Sequence, residues 1–293
     1  MSEANFDQKK IAIAVITSYP KWYKGKLRSI KHTEKIRGDL ALEFVKKTVE
    51  RGYNIVISDG KSSKTFRREL QTTPNIILTK RKVKSSGEGK RDAIDKASKI
   101  PGVEIIVLSE PEKVSLITDC LPQAVDPIFH NKADLVIPKR EENLFRSTYP
   151  KYMYKSEIEG NGIYNEALRA NNILPESLMT LDSFFGPRIF KNDKKVISLF
   201  KKKYKFSGMS LLEKLYDPDI YSHVLFFPIV NALIRKLRVV SVEVPFSYPS
   251  LQKENEDVGR RDEFIAKRSM QRVSILIDLM HFLGYLQRSK AKL

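Results

Sequence analysis

The chain has 293 residues and a formal charge of +18, from 53 Lys and Arg against 35 Asp and Glu. With 41% hydrophobic residues it carries enough apolar material for a sizeable core, which excludes wholesale disorder. A sequence pI near 9.7 points to anionic company: nucleotides, phosphorylated substrates, nucleic acid or an acidic membrane face. The one cysteine, Cys120, excludes an intrachain disulfide and a cysteine-based zinc site. The start, MSEANFDQKK, lacks the apolar core of a signal peptide. The uncharged run that ends at Ile234 contains Pro228 and Asn231 and is too short to cross a bilayer. The expectation is a cytoplasmic protein whose membrane contact, if any, is peripheral, through the LRSIKH segment or the basic C-terminal helix.

Ile11 to Ile16 is a wholly apolar run of the kind a buried strand shows, followed by the polar and aromatic loop TSYPKWYKGKLRSIKH. Ile36, Leu40, Phe44 and Thr48, with Ala41, Val45 and Val49, fall at helical spacing, so residues 33–51 read as an amphipathic helix closed by Gly52. Tyr53 to Ile57 is a second strand, SDGKSS a turn, Thr65 to Leu70 a short helix and Asn75 to Thr79 a third strand. Gly87 to Ile100 is a helix, with Ala93, Ile94 and Ala97 on one face, and Glu104 to Ser109 is a fourth strand. Beyond it, Leu121 to Phe129 reads as a helix and Asp134 to Pro138 as a strand. Residues 139–165 mix charge and aromatics with little periodicity and read as a long irregular, functional loop. Val239 to Val244 alternates as a strand, and residues 262–288 form a long helix. One unit over residues 1–255 carries a helical extension, 256–293, packed on it.

Strands alternating with helices predict a parallel sheet covered on both faces, because parallel strands need crossovers. Ligands of such sheets sit beyond the carboxyl ends of the strands. The segments there are Thr17–Tyr19, Ser58–Ser63, Lys80–Arg91 and Ser109–Lys113, all polar and expected to converge on one crevice. In Glu110-Pro111-Glu112 two carboxylates at i, i+2 of an extended segment project to one side, an oxygen pair suited to Mg²⁺ or Mn²⁺. Asp59 offers a hydrogen-bond acceptor to a base or ribose, and Gly60 allows close backbone approach. The loop from Lys80 to Ala93 enters a helix N-terminus with Gly, Lys and Arg beside it, the makings of an anion site. Neither a P-loop nor GxGxxG is present.

Together these segments resemble the GT-A fold glycosyltransferases, in particular family 2-like enzymes, over residues 10–115 and more loosely over 180–250. The resemblance implies an α/β, Rossmann-like fold with a mixed, mostly parallel sheet flanked by helices. It implies a nucleotide-diphosphate sugar donor and inverting, hexosyltransferase-type transfer to an acceptor hydroxyl, with no obligatory nucleic acid. Thr17, Ser18 and Tyr19 match the nucleotide-contacting loop; Asp59, with Gly60 and Ser62, matches the acidic strand end that contacts the base. Gly87, Lys90 and Arg91 match the Gly/Arg loop-helix. Glu110 and Glu112 stand where the family has the D-x-D metal motif, so the cation passes to them. The carboxylate that deprotonates the acceptor falls among Asp219, Asp182 and Asp217, in that order. Arg260, Arg261, Lys267 and Arg268 match a basic C-terminal segment that closes over the diphosphate.

Three other readings were weighed. A nucleotidyltransferase needs a Gly-rich loop after the first strand, which TSYPKWYKG does not provide. A basic nucleic-acid-binding module would stack bases on Trp22, Tyr23 and Tyr152. An inactive relative would bind a nucleotide sugar or a partner without turnover.

Overall fold

The computed structural model describes residues 6–81, 85–204 and 222–290. Seven strands form one sheet: β1 (Ile11–Thr17), β2 (Asn54–Asp59), β3 (Ile76–Lys80), β4 (Ile105–Leu108), β5 (Leu135–Arg140), β6 (Arg188–Lys191) and β7 (Val239–Val244). Their order is β3-β2-β1-β4-β6-β5-β7. β1 pairs parallel with β2 and β4, β2 with β3, and β5 with β7. β6 runs antiparallel to both β4 and β5. The mixed, mostly parallel sheet expected from the sequence is therefore present.

The period-2 geometry of β1 sends Ile11, Ile13 and Val15 into one core and Ala12 and Ala14 into the other. Both faces are covered, which is why the strand reads as an unbroken apolar run. The first face is covered by α1 (Thr33–Glu50), α2 (Lys64–Gln71) and α4 (Leu121–Phe129), through Phe44, Phe66 and Val125 among others. The second is covered by α3 (Ser86–Ala97), whose Ala93 and Ala97 lie close to the small β1 residues. The Ser63 hydroxyl accepts from the Phe66 amide and caps α2. Gly52, at φ +78°, ends α1 in a left-handed conformation that a side chain would strain.

Residues 139–165 are not an irregular loop. β5 continues through Arg140, then come α5 (Glu142–Thr148) and α6 (Lys151–Ala170), a 20-residue helix. Next follow α7 (Lys194–Lys201), α8 (Phe227–Ile234), the short α9 (Ser250–Glu254) and α10 (Arg261–Lys290). α10 packs along α6 and buries Ile275, Leu279, Phe282 and Leu283 in the second core. Its Arg268 lies 3.7 Å from Glu157 of α6, and Arg272 pairs with Glu159. Among the described residues, no helix is long and apolar enough to cross a membrane.

Trp22, which the nucleic-acid reading needed on the surface, is only 5% exposed. Its ring lies edge-on to Phe66, its Nε1 donates to Asp39 Oδ1 at 2.9 Å, and the Lys35 ammonium sits over it. The indole fills the space that a Cβ at Gly38 of α1 would enter. Trp22 thus clamps the loop after β1 onto α1. A Gly38→Ala substitution should cost about 1–3 kcal/mol, because a rigid ring must shift. Since Trp22 is the one tryptophan, its fluorescence should move to the red as the Tm falls; unchanged emission would show that the clamp does not exist.

Candidate active site

The tips of β1 to β4 meet at one edge because the register leaves them no alternative. Thr17 lies opposite Asp59, and Asp59 opposite Lys80. Beyond the end of β4, the Ser109 amide still donates to Ala14 of β1. Thr17 Oγ1 donates to Asp59 Oδ1 at 2.8 Å, and Arg67 Nε donates to Oδ2 at 2.6 Å. The Gly60 amide donates to the Thr17 carbonyl, which folds the turn after β2 back over β1. Ser62 Oγ accepts from the Tyr19 amide, and the Tyr19 hydroxyl donates to Glu112 Oε1 at 2.9 Å. Burial first, then the Glu112 charge, holds that hydroxyl protonated well above its ordinary range, so it acts as a donor. The sequence-predicted residues Thr17, Tyr19, Asp59, Gly60, Ser62 and Glu112 are thereby one connected unit. Ser18 is exposed beside it.

Gly87, Lys90 and Arg91 lie in the first turns of α3, where Gly87 and Arg91 are buried and Arg91 approaches Glu88 at 3.4 Å. Arg81, named in the sequence only as part of a basic run, has a larger part. Its amide donates to the Asp59 carbonyl at 2.7 Å. Its guanidinium lies where Cβ atoms on Gly60 and Gly89 would collide with it. Nε and Nη1 are buried without a hydrogen-bond partner among the described residues, and burial lowers its pKa against the pull of Asp59. The two glycines make room for one planar cation beside the acidic strand end.

A cavity of 160 Å³ opens beside Glu112. Glu110, Glu112 and Glu157 line it, facing the cations Arg37, Lys113, Arg140, Lys267 and Arg268. Arg37 donates to Glu256 at 2.9 Å; burial would lower its pKa, but the Glu112 and Glu256 charges outweigh this and raise it. Lys267 is drawn down to about 8 by burial of its ammonium and then by Arg37 and Arg268, although much of the residue remains exposed. Lys267 and Arg268 line the cavity, whereas Arg260 pairs with Glu263 and Arg261 is exposed. Arg37 and Tyr248 were not read from the sequence, and Lys113 only as the end of the Ser109–Lys113 segment. They come together from α1, the β4 tip and the segment after β7, so no local pattern announces them.

The Glu110–Glu112 pair supplies two oxygen-donor side chains, and Glu110 Oε2 is buried with no hydrogen-bond partner. No group of three His, Cys, Asp or Glu able to hold a metal occurs among the described residues. Two carboxylates still fit a hard cation that takes its other ligands from phosphate oxygens and water.

Asp219 and Asp217 lie outside the described residues. Asp182 is buried, and Arg140 grips it through Nε to Oδ2 and Nη2 to Oδ1, both at 2.7 Å. Asn161 Nδ2 also donates to Oδ1 at 2.7 Å. The Arg140 Nη1 donates to Glu157 at 2.6 Å, and its guanidinium stacks 3.5 Å from the Phe145 ring centroid. Burial alone would raise the Asp182 pKa; the Arg140 charge and hydrogen bonds outweigh it and hold the carboxyl below its ordinary range. Asp182→Asn should cost about 3–5 kcal/mol by leaving the Arg140 cation under-compensated in the interior. The contribution of a lowered carboxylate is complete above its unfolded pKa of about 3.9 and fades as pH falls through the folded value. Acid melts should therefore show a shallower loss of Tm below pH 4 in the variant; equal slopes would deny the pairing.

No protein-family model matches the chain, and no curated protein matches it. Among solved structures, the M. tuberculosis glucosyl-3-phosphoglycerate synthase aligns over 92% of this chain and 80% of its own, with a TM-score of 0.50 at 10% identity. A structure of glucosyl-3-phosphoglycerate synthase from Mycobacterium tuberculosis with Mn²⁺, UDP and phosphoglyceric acid aligns over 90% and 78%, at TM-score 0.44 and 9% identity. The 4-diphosphocytidyl-2C-methyl-D-erythritol synthase of Anaerococcus prevotii aligns over 88% and 99%, at 0.43 and 11%. At such identities the likeness speaks for the fold, and the fold of this chain is the GT-A-like fold of nucleotide-diphospho-sugar transferases.

Proposed function

We propose that the protein is a glycosyltransferase that moves a sugar from a nucleotide-diphosphate donor to an acceptor hydroxyl. The observation that carries this reading is the chain of contacts from Asp59 through Thr17 and from Ser62 through Tyr19 to Glu112, at the mouth of a cation-lined cavity. Arg81 faces the base, with Gly60 allowing its approach, while Asp59, buried and held by Thr17 and Arg67, fixes the strand end beside them. The first turn of α3, with Gly87, Lys90 and Arg91, lies on the ribose and phosphate side. The diphosphate sits at Glu110 and Glu112, where Arg37 and Lys267 offset its charge. A divalent cation, Mn²⁺ or Mg²⁺, would be held by Glu110 and Glu112 and would draw negative charge from the departing diphosphate.

The acceptor oxygen attacks the anomeric carbon in line as the bond from that carbon to the diphosphate oxygen breaks, so the centre inverts. The proton passes to a carboxylate, for which Asp219 is the assignment. Asp182, with both oxygens taken by Arg140 and Asn161, fits a positioning role better than that of a base.

Two variants test this. Glu112→Ala should remove the Mn²⁺-dependent gain in UDP or GDP affinity, measured by calorimetry, and leave the circular dichroism spectrum unchanged; a wild-type gain retires the metal assignment. Asp219→Asn should lower kcat at least a hundredfold with donor affinity retained. Unchanged kcat would move the base elsewhere.

A further inference from the structure

The cavity beside Glu112 has two ends. One end is tied to β1 through Tyr19, Glu112 and Arg37. The other end lies under Arg140 at the end of β5 and Phe185 ahead of β6. β5 stands three places from β1 in the sheet, roughly 14 Å at the usual strand spacing. This far end therefore faces the acceptor rather than the nucleotide.

Two cations there have carboxylates only at a distance. Lys113 finds Glu110 only at 3.8 Å, and Arg268 finds Glu157 only at 3.7 Å. Glu157 is already engaged by Arg140 at 2.6 Å. Arg268 Nε and the Tyr149 hydroxyl are both buried without a hydrogen-bond partner among the described residues. The Lys113 ammonium lies over the Phe185 and Phe246 rings, 5.0 and 5.5 Å from their centroids, and burial lowers its pKa despite Glu110. Gln271, whose Oε1 accepts from Arg268 Nη1, brings its amide to the same wall. Buried donors left unsatisfied are costly, and two of them on one cavity wall leave hydrogen bonds open to a ligand's oxygens.

We propose that this end of the cavity seats a phosphate group carried by the acceptor, held by Lys113 and Arg268 with the Tyr149 hydroxyl as a further donor. Two cations and a hydroxyl donor on one wall suit an anion that carries two charges and three free oxygens, as a phosphate monoester does. The proposal rests on the transferase reading and adds the acceptor class to it.

The test is calorimetric binding of inorganic phosphate, at fixed ionic strength, to protein saturated with UDP or GDP. Phosphate should bind the saturated protein. Arg268→Gln and Lys113→Gln should each weaken it at least tenfold, and by a larger factor than they weaken nucleoside diphosphate binding. Lys113→Arg, which keeps the charge, should stay within threefold of wild type, and thermal melts identify any variant that fails to fold. Phosphate displaced outright by the nucleoside diphosphate, or bound equally well by both Gln variants, overturns the proposal. Failure of the protein to bind either nucleoside diphosphate overturns the transferase reading instead, and the variants then still report on phosphate bound to the free protein.

Discussion

Parallel pairing is the constraint on which the rest of the molecule depends. Four parallel strands joined by helical crossovers must end at the same edge, so the segments after β1, β2, β3 and β4 are brought together whatever their sequences. Backbone geometry thus sets the place of the site, and the side chains determine its content. Thr17, Tyr19 and Ser62 convert that proximity into fixed contacts by bridging between loops. The antiparallel β6 has a complementary effect: its start, next to Gly186, faces the same edge as the end of β4 and closes the cavity from the other side.

A few of the many Lys and Arg residues are buried or line the cavity. Buried cations are expensive unless paired, and each has its own solution here. Arg140 is fully answered by Asp182 and Glu157 and separates the 160 Å³ cavity from a second one of 290 Å³ on its other side. Arg188 is buried against carbonyls of Ser183, Pro187 and Leu225, and its pKa falls to about 10 through burial. Arg37 leans on Glu256, which also accepts from Tyr248 and Gln252. This network ties the segment after β7 to α1 across the cavity mouth. Lys113 and Arg268 differ from these three in having only distant carboxylates.

The sequence made the first four strands legible because burial on both faces leaves an unbroken apolar run. It hid α6 for an equally physical reason. The buried residues of α6 are Met153, Glu157, Gly160, Tyr164, Asn165 and Leu168, a helical spacing interrupted by a carboxylate, a glycine and an amide. Glu157 is inside because Arg140 is there, and Gly160 because the Phe184 ring occupies the place of a Cβ. Strand β6 was hidden by its brevity and by the charge of Arg188, whose burial depends on carbonyls far from it in sequence. The residues at the tips of β1, β2 and β4 could be read because each follows a readable strand. Of the cations in the cavity, Lys267 and Arg268 were legible as a basic run of α10, but Arg37 and Arg140 were not, because they come from α1 and β5.

The Glu-Pro-Glu segment shows how one such departure from the expected pattern is accommodated. A glutamate reaches one methylene further than an aspartate, and each of the two is positioned by a different neighbour. Glu112 is held by the Tyr19 hydroxyl. Glu110 extends into the space left by Gly186, where a Cβ would lie 2.6 Å from Oε1 and where φ of +102° already demands glycine. The longer arms therefore do not leave the carboxylates loose: one is oriented by a hydrogen bond from the loop after β1, the other by a steric opening ahead of β6. The pair thus links the two ends of the cavity.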